Sequence, residues 1–257
     1  MKVAVFAGHD DDTFDVKGEK GIYTDLTSSG KYEEYDSNIQ IAKETVRLLD
    51  KQEGVTTLFP QKNGKDMSLE ERVDYCNRNN VDTAVFIHSN YSSNSSAKGA
   101  AAFYWYNSRD GKRFATIYAN EMKKKGYDLW SNGTYPCEPN KWSNFFVVRG
   151  TSMPVILTEN FFFSNRDELK NILLDPNELK KVAEVHARAV CGYANVEYKD
   201  SEQGGGGNVD KADKFAHEAQ EWVKEQDVSD GSRPRDNVTR QELWTMLHRY
   251  AKLEQNK

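Results

Sequence analysis

Three short apolar runs along the chain predict buried β-strands. They are Val3–Ala7, Val81–Ile87 and Pro154–Thr158. Each run is nearly continuous and does not alternate between apolar and polar residues, which is typical of strands that are covered on both faces. We therefore expect a central sheet with other elements packed on its two sides.

Apolar residues at intervals of three and four predict helices between these strands. Asn38–Leu49 has this spacing, and Ser68–Glu71 has the composition of a capping box that opens a second helix. Phe114–Lys125 and Asp167–Tyr193 continue the helical pattern, the latter broken near Pro176. Alternating strands and helices indicate an α/β fold, with a mostly parallel sheet and helices on both of its faces.

The pattern changes after Tyr193, where the sequence SEQGGGGNVD follows within a few residues. Four consecutive glycines favour a flexible linker. We therefore predict a first domain at 1–197, a linker at 198–210 and a small α-helical module at 211–257. A module of fewer than about 50 residues is marginally stable alone, so we expect it to dock, to dimerise or to be one repeat of a larger array.

Composition excludes several classes of protein. Of the 257 residues, 37% are hydrophobic and 29% are charged, as in a globular protein, and the net charge of −5 gives no reason to expect nucleic-acid binding. No apolar run approaches the roughly 20 residues of a membrane span, so membrane insertion is not expected. The three cysteines lack CxxC spacing, which argues against a disulfide framework and a thiolate metal site.

Four residues with side chains suited to zinc chemistry stand at the ends of predicted elements. His9 follows the first strand, His88 ends the second, Glu159 ends the third, and Glu34 stands at the start of the first helix. Loops at the carboxyl ends of parallel strands meet at one rim of a sheet, so these side chains are expected to converge. A hydrolytic zinc site needs about three nitrogen or oxygen ligands and a nearby acid or base.

Each of these residues also has a purely structural explanation. A histidine after a strand can be a hydrogen-bonded structural residue. Glu34 can be a solvated carboxylate that the helix dipole favours, and Glu159 can be a salt-bridge partner. Glu33 competes with Glu34, and the four-residue spacing to Asn38 favours Glu34. The other histidines lie on helical patterns and are expected to be surface or packing residues; they are His186, His217 and His248.

Five sequence motifs between residue 1 and about residue 194 occur in the same order as in a known protein family. They are Ala7–His9, the Glu-x-Asp-x-Asn run at 34–38, Ser68–Arg72, Ile87–Asn90 and Met153–Asn165. This part of the chain resembles the amidase-3 family of zinc-dependent N-acetylmuramoyl-L-alanine amidases, found in bacterial autolysins and phage endolysins. The chain departs from the family pattern after His9, where acidic residues replace a glycine-rich stretch.

The resemblance implies a reaction and a site. It implies one zinc ion per chain with His9, Glu34 and His88 as ligands, and Glu159 as the catalytic residue. The reaction is hydrolysis of the amide bond between N-acetylmuramic acid and L-alanine in bacterial peptidoglycan. Aromatic residues in Lys98–Trp142 either line the substrate groove or serve ordinary packing.

Two alternative functions stay open at this point. One is another zinc peptidoglycan hydrolase, such as a carboxypeptidase or a deacetylase, and the other is a non-catalytic wall-binding protein. Ser229–Glu242 loosely resembles a short repeat at the ends of some phage lysins, which suggests wall attachment or self-association. The N-terminal apolar stretch is too short for a signal peptide. We therefore expect a phage endolysin, made in the host cytoplasm and acting on the cell wall after release.

Overall fold

The structure is a computed structural model that describes residues 1–10, 14–15, 20–61, 67–200, 216–226, 228–229 and 240–255. These residues fall into two compact units, Met1–Lys199 and Asp200–Lys257. The strands of the first unit are β1 (Lys2–Ala7), β2 (Gly21–Tyr23), β3 (Lys31–Glu33), β4 (Thr56–Leu58), β5 (Thr83–Asn90), β6 (Ala100–Trp105), β7 (Leu129–Cys137) and β8 (Val155–Phe162). Its helices are α1 (Glu34–Leu49), α2 (Leu69–Arg78), α3 (Arg109–Lys124), α4 (Phe146–Gly150), α5 (Arg166–Glu168) and α6 (Pro176–Ala194), with a π-helical turn at Leu169–Leu173.

A six-stranded sheet in the order β4-β1-β5-β8-β6-β7 forms the centre of the first unit. The first four strands in that order are parallel to one another, whereas β6 is antiparallel to β8 and β7 is parallel to β6. The mostly parallel α/β sheet predicted from the sequence is thus confirmed. The reversed pair at one edge was not predicted, although such edge strands are common in doubly covered sheets.

Helices cover both faces of this sheet, as expected. Alternate residues of β1 enter two different cores: Val3 and Val5 face α1, α3 and α6, while Ala4 and Phe6 face α2 and α4. Because side chains alternate along a strand, a strand buried on both faces must be apolar at every position. This explains why the strands stood out as continuous apolar runs.

Local signals placed several helix boundaries correctly. Ser68 and Glu71 form the predicted capping box: the amide of Glu71 donates to Ser68 Oγ at 3.1 Å, and the amide of Ser68 donates to Glu71 Oε2 at 2.8 Å. Pro176 occupies the first turn of α6, where its missing N–H leaves no bond unmade. The predicted break in the helical pattern lies there.

Two strands are longer than predicted. His88 and Glu159 were predicted to be the last residues of their strands, but β5 continues to Asn90 and β8 to Phe162. Polar residues can extend a buried strand when their side chains find partners, and Ser89 and Asn160 both do so here. His88 and Glu159 therefore lie within paired strands and not in the loops beyond them.

The second unit contains α7 (His217–Glu225) and α8 (Arg240–Gln255). Within it, the rings of Trp222 and Tyr250 lie 6.2 Å apart. Residues 201–210 of the predicted linker, and residues 211–215, 227, 230–239 and 256–257 of the predicted module, lie outside the described residues. In the described part of the chain, no helix combines the length and apolarity needed to cross a bilayer.

The first unit ends with residues that pack against its body. Gln52 accepts a hydrogen bond from the amide of Lys199 at 2.8 Å and donates to its carbonyl at 3.0 Å. The guanidinium of Arg188 lies 4.4 Å from the ring centre of Tyr198. These contacts carry the first unit two residues beyond the boundary predicted at residue 197.

We predict that a chain ending at Lys199 folds cooperatively, with the same Tm for this unit as in the full chain. A chain ending at Val196 loses both Gln52 hydrogen bonds and the Tyr198 contact. Each lost hydrogen bond costs about 1 kcal/mol, and each kcal/mol lowers Tm by roughly 2–4 °C in a domain of this size. Differential scanning calorimetry of the two truncated chains measures the difference. A non-cooperative transition for the chain ending at Lys199 would contradict the division into units.

Candidate metal centre and catalytic carboxylate

His9, Glu34 and His88 meet at the carboxyl ends of β1 and β5, and their potential ligand atoms all lie within 4.8 Å of one another. Glu34 Oε2 lies 2.9 Å from His9 Nε2, and Glu34 Oε1 lies 3.1 Å from His88 Nδ1. The two imidazole rings are nearly perpendicular, with centres 5.0 Å apart. The competing residue Glu33 instead pairs with Lys31, outside this cluster.

Glu34 is buried and is held by groups from α1 and β5 besides the two histidines. Asn38 Nδ2 and the amide of Ser89 each donate to Glu34 Oε1 at 3.0 Å. Ser89 Oγ in turn donates to Asn38 Oδ1 at 3.1 Å, which fixes the amide of Asn38. Glu34 is also the first residue of α1, where the helix dipole favours a negative charge.

The electrostatics of this cluster suit metal binding. Burial alone would raise the pKa of Glu34, but the hydrogen bonds from His88 and His9 outweigh it and hold the pKa well below its usual range. Burial lowers the pKa of His88, although Glu34 opposes the change. An ionised carboxylate and neutral imidazoles are the forms in which these groups bind metals. The donor set of two nitrogens and one carboxylate therefore fits a hydrolytic zinc site.

A strained backbone conformation directs His9 towards Glu34. His9 has a φ of +62°, in the left-handed region that non-glycine residues seldom adopt. Its carbonyl accepts hydrogen bonds from Arg72 at 2.8 Å and from Gln61 at 3.3 Å. Arg72, which is buried on α2, also donates to the carbonyls of Ala7 and Met67. These two side chains therefore stabilise the turn that carries His9.

Gly8 is required because it lies directly against His88. A Cβ atom at this position would stand 2.3 Å from His88 Nδ1, closer than any real contact. The amide of Gly8 donates to the carbonyl of Ile87 at 2.7 Å, which extends the pairing of β1 and β5 to the edge of the site. The absence of a side chain at Gly8 thus leaves room for the His88 ring beside β1.

Glu159 lies beside His88 and differs from the other site carboxylate in its surroundings. The two residues are direct partners in the register of β5 and β8, so their side chains project from the same face of the sheet. Among the described residues, Glu159 Oε2 is buried and has no hydrogen-bond partner. Burial, and then the negative charge of Glu34, raise the pKa of Glu159 well above its usual range. A carboxyl group in such surroundings takes up a proton more readily than a solvated one, which suits a residue that transfers protons.

Asn160 is a structural residue of the site that sequence reasoning missed. The pairing of β5 and β8 shifts register beyond His88, and Phe161 has a φ of +67°. Asn160 Nδ2 donates to the carbonyl of His88 at 2.7 Å, while Asn160 Oδ1 accepts from Tyr118 at 2.7 Å. Asn160 thus stabilises the irregular pairing between the strands that carry His88 and Glu159. The available signal was an asparagine next to Glu159 in an otherwise apolar strand.

His186 was expected to be a surface or packing residue, and it is a buried one with two polar partners. Its Nδ1 donates to the carbonyl of Val182 at 2.8 Å, and its Nε2 lies 3.0 Å from Thr158 Oγ1. Burial lowers the pKa of His186 to about 4, so the ring is neutral. Thr158 also accepts from Asn160 at 3.1 Å, which links His186 to the irregular segment of β8.

Comparisons with known proteins agree on one family. A family model described as N-acetylmuramoyl-L-alanine amidase matches residues 3–191. The chain is 27% identical over 206 residues to an endolysin of Bacillus phage SPP1, covering 77% of this chain and 70% of the endolysin. It is also 27% identical over 152 residues to the N-acetylmuramoyl-L-alanine amidase CwlM of Bacillus licheniformis, covering 58% and 55% of the two chains.

Solved structures of amidases share the fold. The catalytic domain of the amidase CwlV from Bacillus (Paenibacillus) polymyxa superposes with a TM-score of 0.62 at 23% identity, covering 76% of this chain and 99% of that domain. An N-acetylmuramoyl-L-alanine amidase from Clostridium difficile 630 gives a TM-score of 0.63 at 24% identity, covering 76% and 96%. The part of the chain that these structures cover is about as long as the first unit, Met1–Lys199.

We predict that Arg72→Met lowers the free energy of unfolding by about 2–4 kcal/mol, because it leaves buried carbonyl groups without donors. Urea denaturation measures this change. Arg78→Met is the matched control, since Arg78 lies on the same helix but forms an exposed pair with Asp74. A loss for Arg72→Met no larger than that of the control would show that Arg72 does not stabilise the His9 turn.

Proposed function

The chain belongs to the N-acetylmuramoyl-L-alanine amidase family, which hydrolyses the amide bond between N-acetylmuramic acid and L-alanine in peptidoglycan, and we propose that it does so with one zinc ion. His9, Glu34 and His88 are the proposed ligands, and Glu159 is the proposed general base and acid. The observation that carries this proposal is the buried carboxylate oxygen of Glu159, which has no hydrogen-bond partner among the described residues, beside a preorganised His-Glu-His cluster.

The donor set supports zinc in particular. Two imidazoles and a carboxylate are a common ligand set of hydrolytic zinc sites, which keep a further position open for substrate or water. A zinc ion bound there would act as a Lewis acid in the hydrolysis. The hydrogen bonds from Asn38 and Ser89 to Glu34 hold the carboxylate orientation that such a ligand needs.

Glu159 supplies the proton transfers in the proposed reaction. Its ionised carboxylate takes a proton from the attacking water as the bond to the lactyl carbonyl carbon forms. It then gives that proton to the nitrogen of L-alanine as the amide bond breaks. The products are the free lactyl carboxylate and the free amine of the stem peptide. The raised pKa of Glu159 favours the first transfer, since a more basic carboxylate takes up the proton of the attacking water more readily.

The two alternative functions are distinguished by the products and by Glu159. A zinc carboxypeptidase or deacetylase would use the same metal chemistry but would not release the lactyl carboxylate together with the L-alanine amine. A non-catalytic wall-binding protein has no need for a buried, unpaired carboxylate beside the histidines. Mass spectrometry of digested peptidoglycan, with and without chelator, identifies the bond that is cut.

The similarity to a phage endolysin supports a proposal about where the protein acts. We propose synthesis in the host cytoplasm and action on the cell wall after release. The second unit is proposed to serve wall attachment or self-association, without a part in the chemistry. Its described helix α8 supports this role, since it exposes apolar residues that include Trp244 and Leu247.

We predict one zinc ion per full-length chain, and its loss in His88→Ala, because the two remaining ligands leave the site incomplete. Elemental analysis by mass spectrometry after dialysis measures the zinc content. His248→Ala is the control, since His248 lies on α8 in the second unit. Stoichiometric zinc with unchanged affinity in His88→Ala would show that the ligand set is wrong.

We predict that Glu159→Gln keeps the zinc content and the Tm of the parent but lowers the rate of amide hydrolysis by roughly 10²-fold or more. This is the usual contribution of a general acid–base group. The rate is measured as the appearance of free amino groups on the L-alanine of the stem peptides in purified peptidoglycan. Glu121→Gln, on α3 where its carboxylate pairs with Lys124, is the control and should cleave at the parental rate. A parental rate in Glu159→Gln would exclude the proposed mechanism.

A further inference from the structure

A group of aromatic side chains packs on the sheet face that also carries Glu159. It is called here the aromatic platform and consists of Phe103, Trp130, Tyr135, Trp142 and Phe145. Phe103 is its fully buried base, with ring centres of Tyr135 and Phe145 at 5.2 and 5.1 Å. Trp130 lies 4.7 Å from Tyr135, which joins the two sides of the group.

Trp142 lies on top of this group with most of its surface in solvent. Its ring is 5.7 Å from Phe103 and nearly perpendicular to it, and four ring contacts in all hold it in place. The side chain is nevertheless 68% exposed, although packing alone would favour burial of so large an apolar surface. A tryptophan that is held by its neighbours and open to solvent is preorganised to bind a ligand, because it loses little conformational entropy on binding.

The register of the sheet places this surface close to the catalytic carboxylate. Glu159 is the direct partner of Ala101 on β6, and Phe103 follows two residues later on the same face. Two residues of a strand span about 7 Å, which is the separation along β6 between the partner of Glu159 and Phe103, the residue on which Trp142 packs. Phe162, at the end of the same strand as Glu159, also contacts the aromatic platform: its ring centre lies 5.2 Å from that of Trp130.

The substrate of the proposed reaction has two chemically different ends that must lie on either side of Glu159. The stem peptide carries carboxylates, which are repelled by the negative face of an aromatic ring and need cationic partners. The glycan strand consists of N-acetylated pyranose rings that are uncharged where the lactyl group is in amide linkage. Their C–H faces are apolar, and they match a flat aromatic surface in shape and polarity.

We propose that the aromatic platform is a glycan subsite, in which sugars next to the scissile muramoyl amide stack on the exposed face of Trp142. This inference rests on the proposed amidase function. It adds that the glycan end of the substrate lies over β6 and β7. It assigns Trp142 a role in binding and none in the transfer of protons. Substrates with a longer glycan should therefore bind more tightly than a single muramoyl residue does.

The test compares two substrates in the full-length, zinc-loaded protein. One is a single N-acetylmuramoyl residue with its stem peptide, and the other is a strand of several disaccharides with stem peptides. For Trp142→Ala we expect KM for the strand to rise about tenfold, the loss of one stacking contact. Its kcat for the strand, and both constants for the single residue, should stay within about twofold of the parent. Trp142→Tyr, which keeps a ring, should recover most of the affinity.

Tyr106→Ala is the matched control. Tyr106 is 49% exposed and follows the end of β6 that is distant from Glu159, so both substrates should be cleaved as by the parent. Thermal unfolding checks that all variants fold. An unchanged KM for the strand in Trp142→Ala would overturn the proposal. An equal defect for both substrates would also overturn it, since Trp142 would then act on the structure or the chemistry.

A binding measurement separates this proposal from the proposed function. Isothermal titration calorimetry with tetra-N-acetylchitotetraose, an uncharged glycan without a stem peptide, needs no cleavage. We expect binding to the parent, to Tyr106→Ala and to the inactive Glu159→Gln, and about tenfold weaker binding to Trp142→Ala. If the parent cleaves neither substrate but shows this pattern, the amidase function fails and the glycan surface stands. If the parent and Trp142→Ala bind the tetrasaccharide equally, or neither binds it, the glycan subsite is excluded.

Discussion

The buried carboxylate of Glu34 is the interaction on which the site depends. Burying an ionised carboxylate costs several kcal/mol unless hydrogen bonds and opposite charges offset the loss of water. Here the offset comes from His9, His88, Asn38 and the amide of Ser89, which belong to the end of β1, to β5 and to α1. Because one anion needs donors from all of these elements, the packing of α1 against the sheet and the assembly of the site are the same event.

Other contacts around the site stabilise backbone that would otherwise relax. His9 and Phe161 both have positive φ values, at the two sides of the centre. Arg72 and Gln61 hold the first turn through the carbonyl of His9, and Asn160 holds the second segment through the carbonyl of His88. Each strained residue costs on the order of 1–3 kcal/mol and persists only where its surroundings fix it. The rigid core around the site thus serves to fix the orientation of a few side chains.

The two carboxylates of the site differ because their surroundings differ. Glu34 has several donors and stays ionised, whereas Glu159 has a negative neighbour and a buried oxygen that finds no partner in the described part of the chain. One is suited to bind a cation, and the other is suited to exchange a proton with substrate. The same face of the sheet continues from Glu159 to the aromatic surface over β6 and β7. A polar reaction centre therefore borders an apolar surface on a single sheet face.

The sequence alone determined those features that depend on neighbouring residues in the chain. Continuous apolar runs predicted the strands, Ser68–Glu71 predicted a helix start, and Pro176 predicted a break in a helical pattern. The resemblance together with the element ends selected His9, Glu34, His88 and Glu159. Only the tertiary structure decided which strands are neighbours: the reversal of β6 and β7, the pairing of His88 with Glu159, and the contacts of Asn160 and His186. The hydrogen bonds of Asn160 with His88 and Tyr118, and the contact of His186 with Thr158, join residues that are 28 to 72 positions apart in the chain. Local periodicity reports which side of an element is buried but not what it is buried against, and that information exists only once the sheet has formed.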